Sequence, residues 1–175
     1  MEIRKKLILG SKARELIFFK VKYNHFLDVS GSAENIVLDR EDMDECVLAL
    51  PDSYSEVGEE TQLILSFHGA FGRVCEADNT TGGIALAENC LDAGYAVMDV
   101  CGSEPHGITM GCLEHLLAAY KAYRYAVKHF HLSDRVLVTG SSMGGQTALN
   151  FVNLFPSVAI AVGIFIRGLI WTAWM

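Results

Sequence analysis

Four short, nearly continuous apolar runs set the terms for this chain: "QLILSFHG" at 62–69, "YAVMDV" at 95–100, "RVLVTG" at 135–140 and "VAIAVGIFI" at 158–166. Runs of this length without polar alternation are expected of strands buried on both faces of a sheet. Between them lie "GGIALAENCLDAG", "MGCLEHLLAAYKAYRYAVKHF" and "MGGQTALNFVNLF", each with helical spacing. In the second, Leu113, Leu116, Leu117, Tyr120, Tyr123 and Val127 form an apolar stripe at three- and four-residue steps. Strands alternating with such helices predict an α/β fold: a mainly parallel sheet with helices on both faces. Upstream, "ELIFFKVKY", "NIVLD" and "ECVLALP" read as earlier strands, the last stopped by Pro51.

The chain is 51% hydrophobic and 20% charged, enough apolar residues for a sizeable core. Its net charge of −7, with no long basic run, argues against a nucleic-acid partner. "LILG" is too short for an export-signal core, so none is read. Five cysteines, odd in number and without a CxxC pair, point to free thiols in a reducing, cytoplasmic setting and to no metal site.

Ligand sites in parallel sheets lie at the carboxyl ends of the strands. "VLVTGSSMGGQTALNF" (136–151) places a glycine turn at such an end. A nucleotide-phosphate loop would need a lysine where Gln146 stands, and a dinucleotide loop would need a glycine there. The pattern G-x-S-x-G is met in full by Gly140-Ser141-Ser142-Met143-Gly144. In a strand–turn–helix setting it would hold Ser142 on a tight turn as a nucleophile. The Met143 backbone N–H would be one oxyanion donor. "LILSFHGAFG" ends in a His-Gly turn that can supply the second donor, the N–H of Ala70 or, alternatively, Phe71. His68 itself reads as a buried structural histidine bonded to backbone.

With "LILSFHGAFG", "GYAVMDV" and "VLVTGSSMGG" in place, the chain resembles the α/β-hydrolase superfamily, most closely its bacterial esterase and prolyl-oligopeptidase-like branches. The resemblance covers roughly 45–165 and implies serine hydrolysis of an ester, thioester or amide in a small acyl substrate, without metal or organic cofactor. It also implies an acid and a histidine after the serine. The 33 residues after Ser142 contain no Asp, Glu or His. His106, in "CGSEPHGIT" near Asp99 and Glu104, is the one conceivable substitute base; its plainer reading is a polar loop histidine. His115, His129 and His131 read as helix-surface or helix-end residues.

The expectation is therefore one C-terminally incomplete domain over 1–175, with N-terminal strands at 1–44, a best-matching core at 45–165 and an atypical tail at 166–175. It would lack the last strands and show weak or no activity. After Ile166 the tail fits neither strand alternation nor a clean helical stripe. Read one base earlier, Trp171-Thr172 and Trp174-Met175 each become an apolar residue followed by Asp, so a reading-frame slip near Phe165 would account for it. The 19 residues from Ser157 approach the length of a membrane span, but Gly163, Arg167 and Gly168 argue against one. The competing expectations are a non-catalytic relic or binding protein and a tail-anchored hydrolase. A sheet edge left open by missing strands would favour self-association.

Overall fold

A computed structural model describes residues 2–9, 11–28, 36–70, 81–100, 110–166 and 169–174. In chain order its elements are β1 (Ile3–Leu9), β2 (Lys12–Asp28), β3 (Ile36–Ala49), β4 (Leu63–Phe67), α1 (Thr81–Asp92), β5 (Ala96–Val100), α2 (Leu113–His129), β6 (Val136–Ser141), α3 (Met143–Leu154), β7 (Ala159–Ile166) and β8 (Leu169–Trp174). The strands form one sheet in the order β1-β2-β3-β5-β4-β6-β7-β8.

The centre, β5-β4-β6-β7, is parallel. Antiparallel strands flank it on both sides, β1 to β3 at one end and β8 at the other, so the sheet is mixed. "NIVLD" and "ECVLALP" turn out to be one strand, β3. It pairs with β2 from Leu16 to Asp28, with a single irregularity near Asn24.

Alternation along the strands sends side chains to two different cores. Leu63, Leu65 and Phe67 of β4 and Met98 and Val100 of β5 join Val138 and Ile164 beneath α2 and α3. On the opposite face, Leu16, Val47 and Ala49 pack with Leu91 of α1, and Val97 leans on them. Helices therefore cover both faces. Arg14 of β2 is buried and ties this second face together through ion pairs to Asp52 and to Asp92 at the end of α1.

Helix α2 sits on the sheet with most of its apolar stripe: Leu116 and Tyr123 are buried, and Tyr120 and Val127 pack against the core. Leu113 is 42% exposed, and the buried face is His115, Leu116, Ala118, Ala119, Ala122, Tyr123 and Ala126. The alanines beside the stripe let the helix backbone approach the sheet closely, which leaves Leu113 at the outer margin. His115, expected on the helix surface, is 2% exposed.

The tail also departs from expectation. Residues 169–174 form β8, paired antiparallel to β7 from Ile166↔Leu169 to Ala161↔Trp174. The strand side of β7 that was expected to stand open is thus paired. Because β8 runs back, its last residue lies at the sheet edge opposite Ser142. No helix among the described residues is long and apolar enough to cross a membrane.

Candidate active site

The connection after β4 passes through α1 to β5 on one side, and the connection after β6 passes through α3 to β7 on the other. β4 and β6 are neighbours, paired from Ile64↔Leu137 to Phe67↔Gly140. Connections leaving adjacent parallel strands in opposite directions open a crevice at their carboxyl ends. The Ser142 turn and the His68–Ala70 turn are the two lips of that crevice.

Ser142 stands between the last residue of β6 and the first of α3, with φ +52° and ψ −117°. For a residue with a side chain this backbone is strained, at a cost of order 1–3 kcal/mol. The strain is imposed by sterics on either side. A Cβ on Gly140 would run into the Gly144 carbonyl, and a Cβ on Gly144 into the Phe67 and His68 carbonyls. Only glycines allow the strand to reverse this tightly into the helix while α3 rests on the end of β4. Ser142 is left exposed, its side chain making no capping bond. Its carbonyl accepts from Gly145 N–H at 2.9 Å, closing the first turn. Met143 begins α3 with its side chain buried. The first N–H groups of a helix have no carbonyl one turn earlier to bond, and the positive end of the helix dipole adds to their pull on an anion.

The opposite lip comes close. A Cβ on Gly69 would lie 3.6 Å from Ser142 Cβ and 3.4 Å from the Ser141 carbonyl oxygen. Ala70 follows as an exposed turn residue. The structure thus brings Ser142, Met143 and Ala70 together at one sheet edge. Phe71 and His106, with Glu104, lie outside the described residues.

Near this edge are polar residues that the apolar motifs hide, Asp99 on the α1 face of the sheet and His115 on the α2 face. His68 is half-buried, and its Nδ1–H donates to the Gly69 carbonyl at 2.8 Å, the backbone-bonded role expected of it. His115 Nε2–H donates to the Val100 carbonyl at 3.2 Å. Burial pulls the His115 imidazole down to about 4, offset in part by that bond and reinforced by the nearby His68, so it is neutral at pH 7. Asp99, paired with Ser66 across the sheet, has its Oδ1 sealed from solvent and no hydrogen-bond partner for it among the described residues. Burial pushes its carboxyl up to about 6, against the pull of the His68 charge and the Val100 N–H. Two signals in the sequence mark these residues. Asp99 is the one charge in "YAVMDV", and His115 lies three, four and seven residues before Ala118, Ala119 and Ala122 on the alanine face.

Among the described residues no cluster of His, Cys, Asp or Glu could hold a metal ion. Cys46, Cys90 and Cys112 are thiols; burial raises the latter two above the ordinary thiol range.

No family model matches the chain, and no curated protein matches its sequence. Solved structures match its fold. A thermostable esterase is similar with a TM-score of 0.54 and 15% identity, over 86% of this chain and 49% of that one. Lipase A of Candida antarctica in its closed state matches with a TM-score of 0.57 and 12% identity, over 94% and 40%. An S-formylglutathione hydrolase from Agrobacterium tumefaciens matches with a TM-score of 0.53 and 12% identity, over 93% and 60%. These are α/β-hydrolase structures, and the fold of this chain is the α/β-hydrolase fold. The chain spans about half the length of the esterase it matches.

Proposed function

We propose that this chain is the nucleophile-bearing part of a serine hydrolase of the esterase type, acting on an ester, thioester or amide of a small acyl substrate. The reading rests on one observation: an exposed serine at φ +52° at the start of a helix, on the edge of the β4–β6 crevice. In this reading Ser142 is the nucleophile of an elbow. The backbone N–H groups of Met143 and of Ala70, with Phe71 as the alternative to Ala70, receive the developing oxyanion. Each such donor contributes about 3–4 kcal/mol to lowering the barrier. No metal, cofactor or nucleic acid enters the scheme. The thiols of Cys46, Cys90 and Cys112 support a cytoplasmic setting.

Residues 143–175 hold no Asp, Glu or His, so a base for Ser142 must come from elsewhere. His106 is the candidate within this chain. Without a base, turnover falls by several orders of magnitude, although stabilisation of the oxyanion can survive. That observation favours a second reading, a folded domain that binds acyl compounds or self-associates through a sheet edge without turning substrate over.

A fluorophosphonate probe separates the two. Labelling of the folded protein that disappears in Ser142→Ala supports a working nucleophile. Folded protein that stays unlabelled, or labelling that persists in Ser142→Ala, removes Ser142 from this role.

A further inference from the structure

Helix α1 carries its charges at the unfavourable end. Glu88 and Asp92 lie four residues apart near its carboxyl terminus, and its last turn holds no basic residue. The helix dipole makes that end negative, and like charges at this spacing repel. Helix α2 has the ordinary arrangement, with Glu114 in its first turn and Lys128 and His129 in its last. Apolar contact does little to compensate. Among the described side chains α1 buries Leu91, with Ala87 beside it, where α2 buries seven.

The missing donors come from the β1–β2 hairpin. The Ser11 backbone N–H and hydroxyl both donate to Glu88 Oε1, at 3.0 and 2.5 Å. Lys12 Nζ donates to Asp92 Oδ1 at 2.7 Å, and Arg14 donates to the same oxygen. Arg14 also pairs at 2.7 Å with Asp52, in the loop after β3. Leu9 and Leu16 of the hairpin pack against Leu91. The Arg14 side chain is 1% exposed, and its Nε has no hydrogen-bond partner among the described residues. A buried guanidinium is costly unless its carboxylates stay in place. Loss of Asp92 would leave Arg14 uncompensated, and loss of Arg14 would leave Asp92 facing the dipole, so the two hold or fail together.

We propose that the β1–β2 hairpin is a strap that holds the carboxyl end of α1 on the sheet, pinned by Arg14 between Asp92 and Asp52 and released by acid as a unit. The strap lies at the amino ends of β4 and β5, opposite the Ser142 edge, and does not rest on the hydrolase reading. The charged groups facing Asp92 are Lys12 and Arg14 from β2 and Glu88 from its own helix. Lys12 and Arg14 hold the Asp92 carboxyl below the ordinary range, and Ser11 does the same for Glu88. Carboxyls lowered in this way stabilise the fold above the ordinary carboxylate range, and that share is lost as pH falls through and below it.

Hydrogen exchange of the whole chain, read as protection of the α1 and α2 peptides and corrected for intrinsic rates, tests the strap. Arg14→Met and Asp92→Asn should each lower α1 protection about tenfold or more while α2 keeps its own. The double variant should lose no more than either single variant. Arg4→Gln is the control: Arg4 lies on the same hairpin, but its ion pairs to Glu2 and Glu15 stay within it, so α1 should be unchanged. In the wild type, α1 protection should fall from about pH 5 downward, ahead of α2. Unchanged α1 protection in Arg14→Met, an α1 loss matched by α2, or a double variant that loses the sum of both singles overturns the proposal. Should Arg14→Met not fold, the half-exposed Lys12 decides, since Lys12→Gln with unchanged α1 protection overturns it equally. Absence of fluorophosphonate labelling would bear on Ser142 alone.

Discussion

Two turns meet at the same sheet edge and are held in place by different physics. The turn after β6 is set by hard sterics: glycines at 140 and 144 let backbone pass where a Cβ would collide with carbonyls. Nothing in that arrangement titrates. The turn after β4 leans on an imidazole bond to the Gly69 carbonyl, with Phe67 before it seated edge-on against His115. One lip of the crevice should therefore keep its shape across pH, and the other should respond to it.

The largest effect should come from removing what both lips share. Phe67 is 1% exposed beneath them, edge-on to His115 and against Phe151 of α3. Phe67→Ala should cost about 4 kcal/mol in urea unfolding, the usual range for a large core truncation, and should loosen both turns together. If Ser142 labelling survived intact while the His68 titration changed, the two turns would not share this floor.

Gly144→Ala attacks the steric contact between the two lips. Its new Cβ meets the Phe67 and His68 carbonyls, which cannot yield without moving β4 or α3. A loss of about 3 kcal/mol is expected, read by urea unfolding.

The titrating lip is sharpened by pH. His115 is depressed to about 4 when folded, so its stabilising share is present above the ordinary histidine range and is lost as pH falls toward 4. Between pH 7 and pH 5 that loss is about 2 kcal/mol. Asp99 is raised to about 6, so the folded state binds its proton more readily and gains stability as pH falls through 6. Over the same interval that gain is about 1 kcal/mol. The two partly cancel in the wild type. Compared with it, the stability change from pH 7 to pH 5 should become more favourable in His115→Gln and less favourable in Asp99→Asn, measured by urea titrations at both pH values.

The smallest effect tests the stored strain. Ser142→Gly replaces a residue at φ +52° with one that tolerates it, and should stabilise by about 1 kcal/mol while abolishing labelling. A destabilised glycine variant would mean that the turn is not strained.

Much of the centre was legible beforehand. The runs at 62–69, 95–100, 135–140 and 158–166 read as buried strands because nothing in them alternates, and the intervening helices followed from their spacing. The Ser142 turn was legible for the same steric reason that holds it: glycine pairs at fixed offsets leave few conformations. Other parts were not. The stripe on α2 held at Leu116 and Tyr123 and failed at Leu113, because α2 is seated by its alanines as well. His115 went unseen on that face. β8 escaped because "LIWTAW" lacks alternation, and its pairing is supplied by β7 across a hairpin. The merger of "NIVLD" with "ECVLALP" depends likewise on β2, whose ladder carries the polar residues between them.

Local sterics and apolar periodicity, which act between residues near in sequence, determined the α/β alternation and the strained serine turn. The tertiary structure decided the rest: which strands are neighbours, that the two turns face each other at the ends of β4 and β6, and that His115 is buried against Phe67 and Val100. Those outcomes depend on burial and on contacts between elements far apart in sequence, and such long-range terms leave little trace in any one stretch.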